Sequence, residues 1–176
     1  MNIPDEMNAS MKQVIDREIE AFFKICPIEQ NPVLTILRGH LLTEHYLERI
    51  LQMGLPRGDR LLRETRLSFA HKLHLVEALD VLDDRTIQSL QGLNKVRNLC
   101  AHEKDRQLTI TDIDTMARPF GDEYIMLRRT HYEDIKLLLH ETLSIICRNT
   151  MFNVFYLEEV ATKRHKGFLS NLEKRM

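Results

Sequence analysis

Between Met11 and Cys26 the apolar residues Val14, Ile15, Ile19, Phe22, Phe23 and Cys26 recur at steps of three and four. That spacing lays them along one stripe of a helix. Pro27 and the pair Asn31-Pro32 break the pattern. A second helix is predicted from Pro32 to Met53, carrying Ile36, Leu37, Leu41, Tyr46, Leu47, Ile50 and Leu51. Pro32 suits its first turn, and Gly54 with Pro56 suits its stop. A third helix is predicted from Asp59 to Leu82, with Leu61, Leu62, Leu67, Phe69, Leu73, Val76 and Leu79 on its apolar side. Asp83 or Asp84 caps a fourth, which reaches at least His102. The run EKDRQLT then breaks the period. Thr111 with Asp114 resembles a capping box, with Asp in place of Glu, and opens a short helix ending before Pro119. A last long helix is predicted from Tyr132 to Lys163.

No segment alternates as a strand would, and no internal repeat is present. The expectation is an all-α, antiparallel bundle of four to five helices, with residues 1–176 forming a single domain. Short connections between helices two to four predict antiparallel neighbours. The basic end KRHKGFLSNLEKRM, residues 163–176, reads as a solvated tail, although Lys163, Arg164, His165 and Lys166 are also candidates for contact with a phosphate backbone.

Composition narrows the picture. A chain of 176 residues that is 43% hydrophobic can bury one core, and only 6 Gly and 5 Pro agree with long helices and few turns. A net charge of −1 sets up no global field toward nucleic acid or anionic membrane, so any such contact must come from a local patch. Cys26, Cys100 and Cys147 are far apart and form no C-x-x-C, which predicts a reducing, cytoplasmic setting with cysteines as small core residues. The start MNIPDEMNAS has neither the basic nor the apolar region of a signal peptide. Charges interrupt every apolar run before the ~18 residues that a membrane span needs. No Gly-rich phosphate loop and no Ser-His-Asp order points to another enzyme class.

The stretch VRNLCAHEKDR, Val96 to Arg106, carries the candidate chemistry. On a helical wheel Leu93, Val96, Leu99 and Cys100 form an apolar arc. Asn94, Asn98 and His102 stack on another face, and Arg97 sits at the border beside the small Ala101. One reading is a solvated polar edge in which Asn98 and His102 merely bond one another. The other is a site. Arg supplies a planar, permanently charged fork that matches phosphate oxygens. His is the side chain that ordinarily exchanges a proton near neutral pH. An Asn amide can hold a His ring or a ligand oxygen.

RNLCAH has the form Arg, Asn, three residues, His. It resembles the Arg-x(4–6)-His motif of the HEPN superfamily, the higher eukaryotes and prokaryotes nucleotide-binding domains. The block from Arg66 to His102, RLSFAHKLHLVEALDVL followed by an acidic turn and LNKVRNLCAH, is similar to the mannitol-operon-repressor-like branch of that group. The resemblance implies a helical bundle that dimerises and brings two Arg-His motifs to one cleft. It implies a metal-independent endoribonuclease, of the kind found among toxins and phage-defence effectors, with RNA as substrate and no cofactor. His102 would be the acid–base residue, Arg97 would stabilise the charged transition state, and Asn98 would orient groups in the cleft. RNA contacts are then expected from Asn94, Lys95, Lys104, Arg106, Arg60 and Arg63. Where toxin relatives continue His-x-Tyr, this chain has Lys104, which removes the Tyr that a partner enzyme adenylylates. The alternative within the family is a non-catalytic regulatory or partner-binding module. An antitoxin or regulatory protein is a partner for either.

Other groupings are weaker. Arg57, Arg60, Arg63 and Arg66 recur at steps of three, which spreads them over about half the helix circumference, as on a solvated face. His71 and His74 lie one turn apart, and His40 precedes Glu44 by one turn. A metal site would require such groups to converge from facing helices, and none is expected.

Overall fold

The computed structural model describes residues 5–28, 31–103 and 106–173, and it is all-helical over them. Eight α-helices follow one another among these residues: α1 Asp5–Ile25, α2 Pro32–Gly54, α3 Gly58–Glu64, α4 Phe69–Ala78, α5 Asp84–His102, α6 Ile110–Ala117, α7 Asp122–Thr130 and α8 Ile135–Glu173. A short 3-10 turn, Arg118–Phe120, joins α6 to α7. None is long and apolar enough to cross a membrane among the described residues.

The centre is α2, whose faces are covered by α8, α4 and α5. Its start follows the sequence logic: Asn31 accepts the Val33 N–H at 2.9 Å, and Pro32 occupies the first turn. Ile36, Tyr46, Leu47, Ile50 and Leu51 are buried there against Leu138, Leu139, Leu143 and Ile146 in a shared core. A Cβ on Gly39 would come 3.1 Å from Leu143, so the missing side chain lets α8 approach closely. Farther along, Arg49 bonds Glu158 and lies over the Phe155 ring. These contacts run in step, so α8 and α2 point the same way. On the other side Phe22 and Phe23 of α1 pack on the His140 ring.

The predicted helix from Asp59 to Leu82 is two helices. Thr65 and Ser68 are extended, and Ser68 caps α4 by accepting the His71 N–H at 3.3 Å. The break changes the topology. Phe69 stacks on His40, Lys72 bonds Glu44 and Glu48, and Leu79 lies against Gly54. Hence α4 runs in the same direction as α2, not antiparallel to it. α3 and the extended segment carry the chain back by about 20 Å along α2 first. Gly58 makes that return tight: a Cβ there would meet the Leu51 carbonyl oxygen at 2.0 Å.

Two further boundaries differ from expectation. The capping box of α6 uses Thr109 and Asp112, with bonds from the Thr109 N–H to Asp112 and from the Asp112 N–H to Thr109, so the helix starts two residues earlier than a cap at Thr111 would set. The last helix begins at Ile135, behind a cap by Asp134, and a separate α7 precedes it. It continues to Glu173, past Lys163. The side chains of Lys163, Arg164, His165 and Lys166 lie outside the described residues.

Candidate functional site

Asp83 starts α5 by accepting the Thr86 N–H at 2.9 Å, and Asp80, at φ 53, turns the chain back from α4. α5 therefore runs antiparallel to α4. Ile87, Leu90, Leu93, Val96 and Cys100 form its buried face, as the apolar arc predicts. Gly92 sits where α6 crosses, with room for no Cβ: the Thr115 carbonyl oxygen would be 2.4 Å away.

At Asn94 the motif helix is level with His40 of α2 and Phe69 at the start of α4. The His40 Nε2 lies 3.2 Å from the Asn94 Oδ1, and the two rings of His40 and Phe69 have centroids 4.2 Å apart. Past Asn94 the helix continues roughly two more turns, about 12 Å, beyond the start of α4. Nothing from α4 covers this extension. Arg97 is half-buried, Asn98, Ala101 and His102 are exposed, and the Arg97 Nη1 donates to the Asn98 Oδ1 at 3.1 Å. One fork nitrogen is thereby fixed while the rest of the guanidinium remains available to an anion.

His40 belongs to this site, although it was singled out in the sequence only as a partner for Glu44. Burial pushes its imidazole below the ordinary histidine value, and the nearby Arg97 and Lys72 charges act in the same direction. The bond to Asn94 and the Glu44 charge oppose them without reversing the shift. The ring is thus neutral near pH 7. With Asn94 Oδ1 as acceptor, its proton sits on Nε2. A neutral His40 lets the Arg97 guanidinium stand nearby without like-charge repulsion.

Behind His40 the Lys72 ammonium is held at 2.7 Å from Glu44 and 2.5 Å from Glu48. Burial alone would lower the Lys72 pKa, but the two carboxylates reverse this and hold it above the ordinary lysine value. Lys72 with Glu44 and Glu48 thus forms a bonded polar seam between α2 and α4, and His40 with Asn94 makes a separate link from α2 to α5.

The other expected RNA contacts are dispersed. Lys95 is exposed on α5. Arg106 is bonded to Glu103 at 2.7 Å and to the buried Asp112 at 2.5 Å, so its guanidinium ties the end of α5 to the start of α6. Arg60 pairs with Glu64 and Arg63 with Asp59 on α3, along the return path beside α2. Lys104 lies outside the described residues. His71 and His74 are exposed on α4, with His71 Nδ1 3.1 Å from the Ser68 hydroxyl. Among the described residues no three His, Cys, Asp or Glu side chains come together as metal ligands. Cys26, Cys100 and Cys147 are free thiols buried in the core, and burial pushes the Cys26 thiol up to about 11. No family model, curated protein or solved structure matches this chain, so the geometry of its own side chains carries the functional reading.

Proposed function

We propose that this protein is a metal-independent endoribonuclease of the HEPN type, acting as a homodimer. The observation that supports it most is the end of α5 beyond α4, where exposed His102 lies near half-buried Arg97, braced by exposed Asn98. Such an end needs no metal to cut RNA. A neutral His102 imidazole removes the proton from the ribose 2′-OH, whose oxygen attacks the adjacent phosphorus. The 5′-oxygen of the next nucleotide leaves and takes up a proton from an imidazolium. The products are a 2′,3′-cyclic phosphate and a 5′-hydroxyl. Arg97 offsets the charge gathering on the non-bridging oxygens.

Within one chain Arg97 and His102 are separated by about 7.5 Å along the axis and about 140° around it. A second copy of the motif across a two-fold axis places one chain's Arg97 opposite the other's His102. Exposed Ala101, with its small side chain, permits such an approach. The test is RNA cleavage in EDTA by the wild type beside Arg97→Ala and His102→Ala, read by the chemistry of the new ends.

A second reading is a non-catalytic regulatory module that binds a partner protein through the same end. The charge balance favours it: the net charge is −1, and Arg60, Arg63 and Arg106 are all occupied by carboxylates. RNA left intact but bound partner protein lost in Asn98→Ala would select this reading.

A further inference from the structure

A second site lies where the 3-10 turn, α7 and the start of the α7–α8 connection meet. There a cavity of about 580 Å³ is lined by Arg118, Gly121, Tyr124, Ile125, Arg128, Arg129 and Tyr132. Its walls are largely apolar, and its charged lining residues are all arginines. The volume falls within the range of small-ligand pockets.

The arginines are positioned from beneath. Asp114 on α6 is buried, and its carboxylate accepts from the Tyr124 hydroxyl at 2.6 Å. The same carboxylate draws in Arg118 at 3.4 Å and Arg128 at 3.3 Å. Each guanidinium has five N–H donors, so most remain for an occupant. Arg129 is exposed and has no ion-pair partner among the described residues. Three guanidinium charges against one carboxylate leave the site positive. Tyr132 is 75% exposed and Ile125 46%, so both offer apolar surface to a ligand at this face. Gly121, at φ 59, turns the chain at the rim, and a Cβ there would meet nothing within 4 Å.

We propose that this cavity binds an aromatic anion: a flat ring system that packs on Tyr132 and Ile125 and bears a carboxylate or phosphate held by Arg128 and Arg129. Guanidinium forks recognise both oxyanions, and arginine and tyrosine faces stack on rings. The site does not depend on Arg97 or His102, so it stands or falls apart from the nuclease reading.

The probe is 8-anilinonaphthalene-1-sulfonate, an aromatic anion whose fluorescence rises on binding, titrated into the folded full chain. Arg129→Ala and Tyr132→Ala change exposed side chains, and an unchanged thermal midpoint verifies the fold. Saturable binding is expected, weakened at least tenfold in each variant and unchanged in His102→Ala. Displacement by 1-naphthoate identifies a carboxylate ligand, and displacement by adenosine monophosphate a phosphate ligand. Either supports the site. Binding that both variants leave intact overturns it. So does displacement by neutral naphthalenemethanol as effective as by both anions.

Discussion

The Nε2 of His40 lies 3.2 Å from the Oδ1 of Asn94, joining α2 to the helix that carries Arg97 and His102. His40 is buried and also stacked on Phe69. Replacing it with Ala removes the ring contact and leaves the Asn94 carbonyl without its donor. Loss of a half-buried hydrogen bond and of ring packing predicts a destabilisation of about 2 kcal/mol. Urea unfolding measures it. In a double-mutant cycle with Asn94→Ala the two losses should be less than additive, and full additivity would deny the coupling.

The same ring sets a pH dependence. Burial lowers the pKa of His40, and of His140, below the ordinary value of 6.5. Below that value the unfolded chain binds protons that the folded chain does not, so unfolding is favoured as pH falls. Stability is full above about pH 6.5 and declines as pH drops toward the lowered folded values. Thermal midpoints between pH 7.5 and 5 should fall, less steeply in His40→Gln. A midpoint that is flat over this range, in the absence of any variant, would contradict the neutral assignment.

Lys72 reaches two carboxylates from a buried position. Lys72→Met keeps the stem and leaves Glu44 and Glu48 facing one another without a cation. The expected cost is about 2 kcal/mol, below that of a wholly buried pair because both glutamates retain some solvent. Raised salt should reduce the difference between variant and wild type. A variant as stable as the wild type at low salt would show that the seam adds nothing.

Gly92 tests the α5–α6 crossing. A Cβ there is 2.4 Å from the Thr115 carbonyl oxygen, a backbone atom that cannot rotate aside. Gly92→Ala gains helix propensity of about 1 kcal/mol but must push α6 away. The net prediction is a lowered thermal midpoint. An increase would mean that the crossing is looser than described.

The helical periodicity located α1, α2 and α5 and the buried face of α5, because an apolar stripe and a cap are local signals, but α1 starts at Asp5, ahead of Met11, and Phe23 and Leu41, read on the apolar stripes of α1 and α2, are exposed. It missed the break before α4, since Leu61, Leu62, Leu67 and Phe69 keep the apolar spacing through Thr65–Ser68 and only Ser68 marks a new cap. That omission reversed the direction of α4 and hid what α4 covers. Arg97, Asn98 and His102 were legible as a group on the wheel. His40 was not, because its link to Asn94 joins residues far apart in sequence, and no local spacing encodes it. Arg106 looked like a free cation beside the motif, but Asp112, folded back by its capping box, engages it.

The central claim is most directly tested on RNA with purified protein in excess EDTA, with end chemistry read on the fragments. The expected result is cleavage that leaves 2′,3′-cyclic phosphate and 5′-hydroxyl ends, reduced at least a hundredfold in both Arg97→Ala and His102→Ala, each still folded. Mixing the two inactive variants should restore part of the activity through heterodimers with one complete Arg97–His102 pair across the interface. Intact RNA with the wild type, or cleavage that His102→Ala leaves unchanged, would contradict it.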